Sequence, residues 1–268
     1  MRSITVILTC FNRCSKTTGC IKSINNKNPE NRYRFIVVDD KSKDSTLSSL
    51  DQMSKEGIDI VIINGSGNLY YSGGMRLGIE YALNNTDSDF YLMINDDVSF
   101  YDNIIDKMVR DYSSYLASEG PAVFVGCTLG NDGKFTYGGI KYDKGINYSK
   151  IGPDEDCFCD TFNANCVLIP KDIFKSSPNI DPVFIHSLGD FDYGMTISAN
   201  GNRIITYHEF VGICEKNSQK GGWYDKKLSI AERIKAKEDP KGAPFKPWFF
   251  YLKKNFGLMS ALIHSITP

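Results

Sequence analysis

Along the chain, short apolar runs rich in β-branched residues alternate with stretches whose apolar positions recur every three or four residues. The runs Ile4 to Leu8, Phe35 to Val38, Ile58 to Ile63 and Phe90 to Ile94 come first. They are too short for helices and mostly lack a polar alternate, which predicts strands buried on both faces, as in a parallel sheet. Between them the helical spacing predicts helices from Ser15 to about Asn25, from Ser45 or Thr46 to about Met53, and from about Gly74 to Leu83. A further amphipathic helix over Ile104–Leu116 and a fifth strand over Ala122–Cys127 extend the series. Strand and helix alternating at this cadence build right-handed βαβ units, hence an α/β fold with a mostly parallel central sheet flanked by helices. Beyond Cys127 the pattern turns to Gly- and aromatic-rich hairpin material (Gly130 to Tyr148), then a strand at Cys166–Ile169, a helix over Phe191–Ala199 and a strand at Arg203–Tyr207.

The ends of these strands carry the chemistry. Three of the first four finish in polar or acidic groups: Thr9, Asn12 and Arg13; Asp39 and Asp40; Asn95, Asp96 and Asp97. Parallel strands share one carboxyl edge, where open α/β sheets bind ligands, so these groups converge. Carboxylates there need a cation or hydrogen bonds to offset their burial. Hard oxygen ligands suit Mg²⁺ or Mn²⁺, and those ions suit a diphosphate. Asn64–Gly74 is Gly-rich but is neither a Walker loop nor a dinucleotide fingerprint. Residues 1–127 therefore resemble a nucleotide-binding half, and 128–215 the second wall of a cleft.

Charge changes the picture only locally. The net charge of −1 over 268 residues gives no reason to expect a nucleic-acid partner. Lys216 to Lys254, however, holds eleven Lys/Arg against four Asp/Glu. The same region carries a helical stripe, Phe245, Trp248, Phe249, Leu252, Phe256, Met259 and Ile263, with Pro247 in its first turn. A basic, aromatic helical extension over 216–268 can dock on the domain, form a homodimer contact, or lie on an anionic membrane surface. The eight cysteines fit no zinc pair, Cys157-Phe-Cys159 included. With no signal peptide or membrane span read from the sequence, the expected location is the cytoplasm or the inner face of the plasma membrane.

Val6-Ile-Leu-Thr-Cys-Phe-Asn-Arg13, Val37-Val-Asp-Asp40, Ile94-Asn-Asp-Asp97 and Gly189-Asp-Phe-Asp-Tyr193 resemble, in order and spacing, the signatures of inverting family 2 glycosyltransferases with the GT-A fold. The resemblance covers residues 3–215, implying a catalytic domain over 1–215. It implies that Asp39 contacts the base, Asp97 binds the metal and Asp190 is the general base, with Thr9, Phe11, Arg13, Asp40, Gly74, Asn95 and Asp96 around the nucleotide sugar. Asp192 is the candidate orienting neighbour or acceptor ligand, and His186 is placed to touch the acceptor. The sequence departs from the family at Asn95, where an Asp is usual, at Gly189, where Glu is frequent, and at Cys214-Glu215, near which the family often has His. Whether Glu215 takes that histidine's place is open; His208 reads as structural. Trp223, in Gly221-Gly-Trp-Tyr224, is either a lid or a turn packed on the core.

The function implied is metal-dependent transfer, with inversion, from a UDP- or dTDP-sugar to a hydroxyl of a glycan or lipid-linked acceptor, as in bacterial surface polysaccharide assembly. A sugar-phosphate nucleotidyltransferase is disfavoured, because a Gly-rich basic loop is missing after the first strand. A non-catalytic nucleotide-sugar binding module is the alternative of another class.

Overall fold

A computed structural model describes residues 1–25, 30–153, 158–216, 221–223 and 225–265; Cys157 and Tyr224 lie outside them. The strands are β1 (Ser3–Cys10), β2 (Arg32–Asp39), β3 (Ile60–Asn64), β4 (Phe90–Ile94), β5 (Ser99–Phe100), β6 (Ala122–Leu129), β7 (Phe135–Tyr137), β8 (Gly139–Lys144), β9 (Asn147–Ile151), β10 (Thr161–Phe162), β11 (Cys166–Pro170) and β12 (Arg203–Ile213). The helices are α1 (Cys14–Ile24), α2 (Thr46–Lys55), α3 (Tyr70–Asn85), α4 (Ile104–Glu119), α5 (Lys171–Ser176), α6 (Gly189–Ala199), α7 (Ile230–Glu238) and α8 (Phe245–His264).

The main sheet runs β3-β2-β1-β4-β11-β6-β12-β5, with β7 on β6; β10-β8-β9 form a second, smaller sheet. β3, β2, β1 and β4 are parallel, as are β6 and β12, but β11 runs antiparallel to both β4 and β6. The sheet is therefore mixed. The expected parallel series stops at β4, and the reversed strand brings its N-terminal end to the carboxyl edge, with Cys166 opposite Ile94.

The opening strands are largely apolar because each face of the sheet meets its own helical layer. Val6, Leu8, Phe35, Val37, Leu92 and Ile94 face one core, filled by α1, α2 and α4. Ile7, Ile36, Tyr91 and Met93 face the other, filled from α3, α5, α6 and α8. The tail helix belongs to this second core through Tyr251, Leu252 and Ala261.

α3 starts at Tyr70, earlier than the sequence spacing predicts. Its first turn has no side-chain cap of its own. Instead Asp40, just past the end of β2, accepts from the N–H groups of Gly67 (2.7 Å), Leu69 (2.8 Å) and Tyr70 (3.2 Å). Such a tertiary cap satisfies orphan donors at the helix start and favours its positive end. No local pattern announces it.

The apolar stripe of α8 is also interrupted. Gly257 has φ 86° and ψ 165°, a left-handed break that glycine tolerates. Before it, Tyr251 and Leu252 are buried; after it, Leu258, Met259, Leu262 and Ile263 are exposed. Among the described residues no helix is long and apolar enough to cross a membrane.

Gly74 is where α3 touches β1. A Cβ there would stand 2.2 Å from Thr9 Oγ1 and 2.7 Å from Thr9 Cβ. Gly74→Ala is expected to push α3 off the sheet and cost roughly 1–3 kcal/mol in urea unfolding. Combining it with Thr9→Ala is expected to recover part of that loss; strictly additive losses would show that the contact is not the cause.

Candidate active site

The carboxyl edge is built by pairing the loops that leave β1 and β2. Asn12 donates its N–H to Ser42 Oγ at 2.8 Å, and its Oδ1 accepts from Lys43 N–H at 2.6 Å. Asp44 Oδ2 accepts from the N–H of Cys14, the first residue of α1. This zipper fixes Phe11 and Arg13 beside the end of β4. A cleft of 1320 Å³ opens there, lined among others by Thr9, Phe11, Arg13, Asp40, Asn95, Asp96 and Asp97. His186, Asp190, Glu215 and Trp223 line it as well. Asp39, Gly74 and Asp192 are not part of the lining; all three are buried behind it.

Arg13 organises the acidic corner. Its Nη1 donates to Asp96 Oδ1 and its Nη2 to Asp97 Oδ2, both at 2.7 Å. Thr17 Oγ1 donates to Asp96 Oδ2 at 3.0 Å, and Lys16 Nζ lies 3.8 Å from Asp97. Burial nonetheless pushes Asp96 up to about 6, against the lowering effect of Arg13. Asp97 is less covered, with 15% of its side chain exposed, and turns Oδ1 toward the Cys214 thiol at 3.6 Å. Burial first, then the Asp97 charge, hold that thiol protonated, at about 12. Asp39 sits deeper, accepting from Ser42 N–H at 3.0 Å with the Cys10 thiol 3.6 Å away.

Asp190 stands in the first turn of α6, where Oδ2 accepts from Ala164 N–H (3.2 Å) and Oδ1 from Phe191 N–H (3.0 Å). It is partly exposed to the cleft, but the packing around its carboxyl raises its pKa to about 6, with those two bonds opposing the shift. The segment before it is sewn to α3. Ser72 Oγ donates to His186 O at 2.6 Å, Gly73 N–H to Ile185 O at 3.1 Å, and Gly189 lies so close to Ser72 that a Cβ would meet its Oγ at 2.3 Å. His186 is held neutral, its pKa lowered to about 4 by burial.

The remaining predicted residues separate. Asp192 faces away from the cleft and is buried, accepting from Lys254 Nζ at 2.6 Å and Asn255 Nδ2 at 3.1 Å. Glu215 is exposed at the rim and caps Asn131 N–H at 2.7 Å. Trp223 lines the cleft and its carbonyl accepts from Arg233 Nε. His208 lies on β12 outside the lining, 3.7 Å from Asp111 and 3.6 Å from Glu209.

Sequence reasoning missed Tyr71 and the run Asn163-Ala164-Asn165. That run leads into β11 and reaches the edge only because β11 is antiparallel. Ala164 holds Asp190, and Asn165 donates to the Cys214 sulfur at 3.3 Å. Among the described residues Tyr71 OH, Asn95 Oδ1, Asn163 Oδ1 and His186 Nδ1 are buried without a hydrogen-bond partner. Each such group costs roughly 1–3 kcal/mol if it stays unpaired. All four residues line the cleft.

No three His, Cys, Asp or Glu side chains converge as a metal site among the described residues. A Mg²⁺-like ion that travels with a diphosphate needs only one or two carboxylates, its other positions going to phosphate and water oxygens. Asp97 supplies hard oxygens at this corner, and Asn95, two residues before it, lines the same cleft with its Oδ1 unpaired among the described residues. That set fits a divalent ion delivered with its ligand.

Asp190 holds its proton more tightly in the folded chain than an ordinary carboxyl at 3.8, since its pKa is near 6. Its contribution to stability is full below the unfolded value and is lost as pH rises through about 6. Asp190→Asn escapes that loss, so its stability relative to the parent is expected to improve by roughly 2 kcal/mol from pH 4 to pH 7 and then level off. Urea midpoints across that range test this; a constant difference would mean that Asp190 titrates normally.

The chain is 25% identical over 183 residues to a poly(ribitol-phosphate) β-glucosyltransferase of Bacillus spizizenii, which covers 65% of this chain and 25% of that protein. The chain thus spans about a quarter of that relative's length. Among solved structures it resembles the Pyrobaculum calidifontis mannosyltransferase PcManGT, in complex with GDP-Man and Mn²⁺, with a TM-score of 0.57 at 15% identity over 97% of this chain and 73% of that one. It also resembles GalNAc-T7 with UDP, GalNAc and Mn²⁺, at 0.64 and 12% over 96% and 59%, and S. aureus TarS 1-349 with UDP-GlcNAc, at 0.55 and 15% over 81% and 59%. At such identities these likenesses establish the fold, which is the GT-A glycosyltransferase fold. Residues 5–162, more than half of the 268, match the model for Glycosyl transferase family 2, and the chain belongs to that family.

Proposed function

We propose that this protein transfers a sugar from a nucleoside-diphosphate sugar to an acceptor hydroxyl with inversion at the anomeric carbon. The observation that carries this is Asp190: one cleft-facing carboxyl, held by two backbone N–H groups, with a pKa raised to about 6. It is ionised at neutral pH yet more basic than an ordinary carboxylate, which suits a general base. The acceptor oxygen forms its bond to the anomeric carbon and gives its proton to Asp190. The bond to the diphosphate breaks, and its electron pair leaves with the nucleotide. One base and a single displacement invert the centre.

At the opposite corner Arg13 and Lys16 are the chain's own cations near the leaving diphosphate, and Asp97 is the ligand for Mn²⁺ or Mg²⁺. A bound divalent ion would neutralise charge on the leaving oxygens. Solved relatives held with GDP-Man, UDP or UDP-GlcNAc, two of them with Mn²⁺, support a nucleoside-diphosphate donor. A UDP- or dTDP-sugar is the first choice. The Bacillus relative's named polymer supports a role in surface polysaccharide assembly, with a glycan or lipid-linked glycan as acceptor.

Thermal shift against UDP, dTDP, GDP and CMP, each with and without Mn²⁺, is expected to single out one diphosphate whose shift needs the metal. Asp97→Asn is expected to abolish the metal-dependent part. Asp190→Asn is expected to keep that shift while lowering kcat by about 10²–10⁴ and removing the limb of the pH profile that rises through about 6. Turnover that survives in Asp190→Asn would refute the base assignment.

The exposed apolar residues of α8 beyond Gly257, next to a lysine-rich region, support peripheral attachment to an anionic bilayer. Vesicles containing phosphatidylglycerol are expected to bind the protein at low salt, and Leu258→Ser/Met259→Ser to release it. Absence of any wild-type binding would remove the membrane from this reading.

A further inference from the structure

Two groups that the transferase reading sends to different ligands hold each other in this structure. Asp97 is assigned to the divalent ion and Arg13 to the leaving diphosphate, yet Arg13 Nη2 donates to Asp97 Oδ2 at 2.7 Å. The other oxygen, Oδ1, meets the Cys214 thiol at 3.6 Å, and Lys16 Nζ stands 3.8 Å from Oδ2. Both oxygens of Asp97 therefore already have partners, and the nearest is a cation. A guanidinium hydrogen-bonded to a carboxylate oxygen blocks that oxygen to a metal ion, and the two like charges repel at such range.

Arg13 is built to release one carboxylate without leaving the corner. Its main chain is fixed at the start of α1, where its carbonyl accepts from Thr17 N–H at 2.9 Å and from Thr17 Oγ1 at 3.1 Å. Its side chain lines the cleft and is 38% exposed, against 4% for Asp96 and 15% for Asp97. The two acids also differ in what they would keep. Asp96 retains Thr17 Oγ1 at 3.0 Å whatever Nη2 does, and Nη1 can stay on it. Asp97 without Nη2 keeps only the longer contacts to the Cys214 thiol and Lys16. It is the acid that loses most when Arg13 turns away, and so the one left ready for another cation.

Charge gives the direction of the coupling. Asp96 and Asp97 against Arg13 and Lys16 make the corner formally neutral. A divalent ion alone would leave it positive, and a diphosphate alone would leave it negative; together they nearly cancel. We infer that Arg13 competes with the divalent ion for Asp97 and gives Asp97 up when a diphosphate engages its guanidinium. Arg13 thereby makes donor and ion binding one coupled event, and keeps Asp97 closed to the ion until the donor arrives. This rests on the transferase reading above and concerns how that site is assembled.

Titration calorimetry with Mn²⁺, alone and with UDP, dTDP or GDP at saturation, tests it. The wild type is expected to bind Mn²⁺ about tenfold or more tightly with its nucleotide, and the nucleotide to gain by the same factor in the reverse titration. Phosphate oxygens on the ion would also produce coupling, so Arg13→Gln isolates the residue. Its Mn²⁺ affinity without nucleotide is expected to rise about tenfold, with a matching fall in the coupling factor. Arg13→Lys, which keeps the charge but not the fork that spans both acids, is expected to show a smaller gain. Adding Asp97→Asn to either variant is expected to remove the gain. Nucleotide-free Mn²⁺ affinity that is unchanged or weaker in both variants would overturn the inference, as would a gain that survives Asp97→Asn or a wild type without coupling. Failure of the wild type to bind any of the three nucleotides would instead overturn the transferase reading. The nucleotide-free Mn²⁺ comparison would still decide whether Arg13 competes for Asp97.

Discussion

One carboxylate links the two sides of the cleft. Asp40 directly follows β2, and its two oxygens accept three backbone N–H groups from the turn that starts α3. A buried carboxylate is costly unless so compensated, and three donors from one turn leave that turn little freedom. With its start fixed, α3 lays Ser72 and Gly73 against the segment 185–186 and so sets where α6 begins. Asp190 is the second residue of that helix. The end of β2 and the candidate base are thus linked by one set of hydrogen bonds running through α3, none of which requires a ligand.

The acidic corner shows the opposite balance. Asp96 has Arg13 and Thr17 as partners and is still pushed to about 6. Burial outweighs pairing there, so the corner is held at a cost to stability. The same is true of Asp190 and of the unpaired polar atoms lining the cleft. Four of the six buried side-chain polar atoms without a partner among the described residues belong to residues that line this one surface, together with Asp96 and Asp190. Such clustering is the physical mark of a site whose partners come from outside the chain.

Much of this was legible in the sequence because it depends on local pattern. The first four strands and the polar residues at their carboxyl ends follow from the apolar runs, and the parallel register brings Cys10 opposite Asp39. What failed to show depends on partners distant in sequence. The start of α3 is set by Asp40, some thirty residues earlier. β11 reads as a strand, but its direction does not follow from its composition. Its reversal alone brings Asn163, Ala164 and Asn165 to the edge. Asp192 reads as a second cleft acid because it sits two residues from Asp190; in a helix, residues two apart face different ways.

That turn of the helix explains the tail. Facing inward, Asp192 needs a cation, and Lys254 with Asn255 of α8 supplies the charge and a further donor. Tyr251, one turn before Asn255, bonds Tyr142 of the small sheet. The first half of α8 is therefore held to α6 and the small sheet by polar contacts as well as by packing. Part of the basic excess in the sequence is spent internally rather than displayed. Beyond the break at Gly257, Ala261 still packs in the core while Leu258, Met259, Leu262 and Ile263 face outward. A regular helix through that position would carry both sets of side chains on one stripe, and would have to choose between the core and the exterior.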